Sequence, residues 1–141
     1  MFAFPGLKSE KKLKKVFKTR LCSSLDFLRL YMYTFSKMEI NYELVLTTSK
    51  TRRGFDPEFN SWDYLSVALF YFPELNLYLD PFERGSRLGR IDPDYLGQQV
   101  LFCHPYMSGT TPKATTRVRL IKKNKAEDNN NLHELYLDLQ N

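Results

Sequence analysis

The residues best suited to metal binding or nucleophilic catalysis in this 141-residue chain are two cysteines, Cys22 and Cys103, and two histidines, His104 and His133. Two thiols are too few for a four-thiolate zinc site or a disulfide framework. Cys103 and His104 are adjacent, and neighbours on a strand point to opposite faces, which makes a poor chelate. Free cysteine is most often a small core hydrophobe, so a buried thiol beside a strand-end imidazole is the plainer expectation. A Cys103 nucleophile with His133 as base is conceivable, but no spacing supports it. Ser108-Gly109-Thr110-Thr111 lacks the preceding glycine and the lysine of a phosphate loop and reads as a turn. Gly85, Gly89 and Gly97 do not form a dinucleotide fingerprint, and no Gly-x-Ser-x-Gly elbow occurs. The sixteen carboxylates offer no pair whose spacing singles it out for acid–base work. The expectation is a non-enzymatic protein without metal or cofactor.

Binding chemistry is better represented. The net charge of +5 conceals a segregation: residues 1–37 carry nine basic and two acidic side chains, and residues 112–125 carry six basic and none acidic. Residues 38–111 are mildly acidic, and residues 126–141 hold four acidic side chains and no basic one. Short basic segments suit phosphates of lipid or nucleic acid, although they also occur as plain solvated surface. Lys11, Lys12, Lys14, Lys15 and Lys18, with Phe17 among them, form the first basic group, suited to an anionic membrane interface. Lys50, Arg52 and Arg53 form a second, at a loop next to Gly54. Arg117 and Arg119 share one face of a strand, followed by Lys122 and Lys123, an arrangement able to follow a nucleic-acid backbone. No motif of an RNA-recognition, zinc-finger or Gly-x-x-Gly module accompanies them.

The elements that must position these groups are legible from periodicity. Ser9 can cap a basic amphipathic helix over residues 9–24, with Leu13, Phe17, Leu21 and Leu25 every fourth residue. Residues 27–35 fit either strand or helix. Over residues 38–48, Ile40, Tyr42, Leu44 and Leu46 alternate with Glu39, Asn41, Glu43 and Val45, as in a strand with one buried face. Asp56-Pro57-Glu58 opens an expected buried helix running to about Tyr71 and stopped by Pro73. Short strands are expected at 75–79, 98–103 and 114–122, with a loop at 105–112 and single turns at Asp80-Pro81 and Asp92-Pro93. A docking helix is expected at 132–139, after a spacer at 128–131. Irregular alternation of strands and helices implies α+β, a small mostly antiparallel sheet packed on one or two helices behind the basic amphipathic segment. The domain reading is a basic segment 1–25, one α+β domain 26–125 and an acidic tail 126–141, which fits a length near the usual domain size. No apolar run reaches the length of a membrane span, and the short apolar start precedes its lysines, unlike a secretory signal.

The order of parts resembles the matrix proteins of rhabdoviruses and related negative-strand RNA viruses. The residues that carry the resemblance are Tyr42-Glu43-Leu44-Val45-Leu46-Thr47-Thr48-Ser49, a strand entering a polar turn, and the following Trp62-Asp63, within residues 8–80. The chain departs from that family in lacking Pro-Pro-x-Tyr and Pro-Thr-Ala-Pro budding motifs. The resemblance implies a peripheral structural protein that contacts the inner membrane face, the ribonucleoprotein and further copies of itself, in the cytoplasm or the virion. Lys11, Lys12, Lys14 and Lys15 would be its membrane contacts. Sequence-independent binding of RNA or single-stranded DNA is the alternative.

Overall fold

The computed structural model describes residues 16, 18, 19, 22–51, 55, 56, 58, 64–109 and 111–122. Among them one helix, α1 (Ser24–Lys37), precedes five strands: β1 (Glu43–Thr47), β2 (Val67–Phe72), β3 (Leu77–Leu79), β4 (Gln99–Ser108) and β5 (Thr111–Leu120). The strands form one antiparallel sheet in the order β3-β2-β1-β4-β5. The fold is therefore α+β, as the sequence implies. Of the basic segment expected to be helical over residues 9–24, Val16, Lys18, Thr19 and Cys22–Ser24 are described: the first three have helical backbone, Cys22 and Ser23 do not, and Ser24 already belongs to α1. The expected elements at 128–131 and 132–139 lie outside the described residues.

α1 resolves the ambiguity of residues 27–35. Ser23 is its N-cap, in extended conformation, and its hydroxyl oxygen accepts from Asp26 N–H at 3.1 Å. Ser23 thus begins a new helix where the sequence reading ended the basic one. Phe27, Tyr31 and Phe35 recur every fourth residue, which is helical spacing, and Phe27–Tyr31 and Tyr31–Phe35 rings meet at 5.1 and 5.7 Å. The C-terminus closes with Glu39 N–H donating to Ser36 and Ile40 N–H donating to Phe35 at 2.9 Å. That pair of bonds is a Schellman closure, and it holds Glu39 at φ +55°.

The expected helix ending at Tyr71 is corrected: residues 67–72 are strand β2. A short continuous apolar run, Val67-Ala68-Leu69-Phe70-Tyr71-Phe72, satisfies a buried helix and a central strand equally, so tertiary pairing decides. β2 lies between β1 and β3, where both its faces are covered. Likewise β1 is buried on both faces, not one. α1 covers the face of Leu44, Leu46, Phe70, Phe72, Leu101 and Cys103, with Leu28 and Met32 at the centre. The connection from β3 to β4 covers the other face, setting Ile91, Tyr95 and Leu96 against Val45, Leu69, Val100 and Phe102. The loop expected at 105–112 is also corrected: β4 and β5 continue through it in register to the pair Ser108–Thr111, with Gly109 at φ +63° in the reversal. Rings from the chain's eleven Phe and nine Tyr pack against one another in this core: Phe35 alone lies 5.1 Å from Phe70, 5.3 Å from Phe72 and 5.5 Å from Tyr42.

A side chain in left-handed conformation is strained, by about 1–2 kcal/mol. Glu39→Gly therefore raises stability by about 0.5–1 kcal/mol, read as a higher urea midpoint at unchanged slope.

Candidate functional site

The central feature is a carboxylate where an apolar side chain would be expected. Glu43, the first residue of β1, is 1% exposed and sits on the sheet face turned away from α1. A buried carboxylate is tolerated only when paired and hydrogen-bonded. Both partners come from β5, diagonally across β4. Arg119 Nη2 donates to Glu43 Oε2 at 2.6 Å, and Arg117 Nη2 donates to Oε1. The odd-numbered residues of β5 share this face, which is why Arg117 and Arg119 arrive together as their alternation implies.

Arg119 is held further by rings. Its guanidinium carbon lies 3.8 Å from the Phe102 ring centroid and 5.3 Å from that of Tyr71. Tyr71 in turn meets Tyr78 at 4.8 Å and Phe102 at 5.5 Å. A guanidinium this close over an aromatic ring is favourable, and the bond to Glu43 holds it there. Beyond it opens a hollow of about 510 Å³ lined by Tyr71, Asn76, Tyr78, Phe102, Arg119 and Lys122, among others. Its lining is mainly polar, with the Tyr71, Tyr78 and Phe102 rings on one side and Asn76, Arg119 and Lys122 around them. Burial pushes the Tyr78 hydroxyl up to about 12, with Tyr71 and Glu43 adding to the rise and Arg119 opposing it. It therefore stays protonated and able to donate.

The wall opposite β5 is set by Gly89. Its N–H donates to the Tyr78 carbonyl at 2.7 Å, its φ is +87°, and a Cβ there would stand 3.2 Å from Leu77 Cδ2. Only glycine suits both the backbone and the approach. Ile121 fixes the end of β5: its N–H donates to Gln98 O at 3.0 Å and its carbonyl accepts from Gly97 at 2.7 Å. Lys122 therefore leaves the sheet beside the hollow.

The remaining sequence candidates are placed as follows. Lys50 is exposed, and its ammonium donates to the Leu96 carbonyl. Lys18 is exposed. Lys11, Lys12, Lys14, Lys15, Phe17, Arg52, Arg53 and Lys123 lie outside the described residues. Among the described candidates, Arg117, Arg119 and Lys122 are brought to one region. Cys103 is buried beneath α1, and burial pushes its thiol up to about 11, with the Glu43 charge contributing; His104 is exposed on the other side of β4. Among the described residues no cluster of three His, Cys, Asp or Glu could hold a metal, and no helix is long and apolar enough to cross a membrane. Sequence reasoning missed Arg84, Arg87 and Arg90, all exposed in the connection that covers the sheet. Their signal was an arginine at every third position. The tyrosine pair and Asn76 carried no such signal, because they converge only through strand pairing.

Glu43→Gln lowers stability by about 1–3 kcal/mol, because the freed arginines, 59% and 37% exposed, turn to water. Arg117→Met combined with Arg119→Met costs more, about 3–5 kcal/mol, since it strands a buried carboxylate. Urea unfolding of both variants checks the order. Compared with known proteins, the chain matches no family model, no curated protein and no solved structure.

Proposed function

We propose that this is a non-enzymatic interaction protein whose sheet binds single-stranded nucleic acid, without regard to sequence, along the basic side of β5. The observation that carries the reading is the convergence of Arg117, Arg119 and Lys122 beside the Tyr71–Tyr78 pair. Two arginines against one carboxylate leave positive charge in excess on that face. Lys113 lies on the same face of β5 and extends the row toward the hairpin tip. Cations along a strand attract phosphates, and aromatic rings beside them accept unpaired bases. Pairing β5 with the same strand of a second copy would set like charges near one another, so an anionic partner suits this edge better.

Charge reversal at Arg117 or Arg119 would disturb Glu43, so the test uses exposed lysines. The double variant Lys113→Glu with Lys122→Glu keeps the fold and binds a labelled single-stranded RNA of about 12 nucleotides at least tenfold more weakly in fluorescence anisotropy. Binding by the unaltered chain also weakens steadily with salt. Equal binding by both proteins, or none by either, contradicts the proposal.

A second reading adds a membrane contact, so that the protein bridges an anionic bilayer and a ribonucleoprotein. It is favoured by the nine basic side chains within residues 1–37 and by the exposure of Lys18. On this reading Lys11, Lys12, Lys14, Lys15 and Lys18 attract headgroups at about 1 kcal/mol each, while Phe17 enters the acyl boundary. The full chain then floats with anionic but not neutral liposomes, at low salt only, and a deletion of residues 1–20 does not float.

A further inference from the structure

We propose that the hollow between the β2–β3 turn and the end of β5 is a subsite for one unpaired nucleotide, its base against Tyr71 and Tyr78 and its phosphate between Arg119 and Lys122. The inference rests on the nucleic-acid reading above and names the unit that the face recognises. Four observations support it. The hollow, about 510 Å³, has room for a single nucleotide and none for a duplex, whose bases are stacked and inaccessible. One wall is aromatic, and a π-face is what every base can share. The phosphate side is cationic: Lys122 is exposed, and Arg119 reaches the hollow already held by Glu43 and Phe102.

The fourth observation is polar. Arg119 Nε is enclosed and has no hydrogen-bond acceptor among the described residues. Asn76 adds a donor for a base edge. The Tyr71 hydroxyl donates to its Oδ1 at 3.1 Å, which orients the side chain and leaves the amide N–H groups to donate to a base carbonyl. Asn76 holds this place at φ +53°, a conformation asparagine adopts more readily than most residues. Inorganic phosphate leaves the tyrosine wall uncovered and therefore binds the same site more weakly than a nucleotide.

The test is calorimetric titration of the full chain with uridine 5′-monophosphate, uridine and inorganic phosphate, alongside anisotropy with the single-stranded RNA. Expected are saturable binding of the nucleotide, weaker binding of uridine and phosphate, and nucleotide-induced shifts of amide resonances in residues 71–78 and 119–122. Tyr78→Ala weakens the nucleotide roughly 5- to 100-fold, as loss of one stacking surface does. Because Tyr78 packs on the sheet, an exposed second variant guards against a folding artefact. Lys122→Glu weakens the nucleotide and leaves uridine unchanged, whereas Lys113→Glu weakens the RNA alone. Nucleotide binding that is absent, or unaffected by both Tyr78→Ala and Lys122→Glu, overturns the subsite. If the RNA still binds in that case, the basic face stands without it; if neither binds, both proposals fall.

Discussion

The arrangement of this sheet depends on a single charge. Glu43 sits in the middle strand with almost no access to solvent, and a carboxylate there is tolerable only with cations at hand. None is available from β2, whose paired residue is Tyr71, so the compensation comes from β5. This demand selects the register of the outer hairpin. A shift of β5 by one residue would bring Val118 and Leu120 to the carboxylate and turn both arginines to the other face. The tight reversal around Gly109 and the pair Ser108–Thr111 enforce the same register from the opposite end. Turn geometry and ion pairing therefore agree, and such agreement between levels is what gives one structure rather than several.

The same charge shapes the basic face that we propose as the binding surface. An arginine on an edge strand ordinarily samples many rotamers, and ordering it against a ligand costs entropy. Here Glu43 and the Phe102 ring hold Arg119 in place before any ligand arrives. Arg117, more than half exposed, shares the carboxylate and leaves the face with surplus positive charge. A residue that looks like a defect in the core is thus the group that orients the cations of the outer surface. The β3–β4 connection completes the design by covering the apolar part of this face, while Gly89 keeps its chain close to β3.

Much of the framework was readable in the sequence. The alternation around Leu44 and Leu46 marks β1, that of Arg117, Val118, Arg119 and Leu120 marks β5, and Asp92-Pro93 marks the short 3-10 turn Pro93–Tyr95. β2 was misread because Val67–Phe72 is apolar at every position, and a run without polar punctuation carries neither period. The second buried face of β1 was missed for a related reason. Glu43 reads as solvent-facing, and nothing local reveals that Arg117 and Arg119, more than seventy positions away, neutralise it. Residues 27–35 were ambiguous until Ser23 and Asp26 formed a cap that only a helix can use.

By itself, then, the chain determined the class of fold, the segregation of basic residues and the pairing of Arg117 with Arg119 on one strand face. These follow from composition and short-range periodicity, which act between residues a few positions apart. Tertiary structure decided which strands are central, what Glu43 pairs with, and that Tyr71, Asn76, Tyr78, Arg119 and Lys122 surround one hollow. Those outcomes depend on contacts between distant segments, whose free energy is set by burial and pairing in three dimensions and leaves no periodic trace in the sequence.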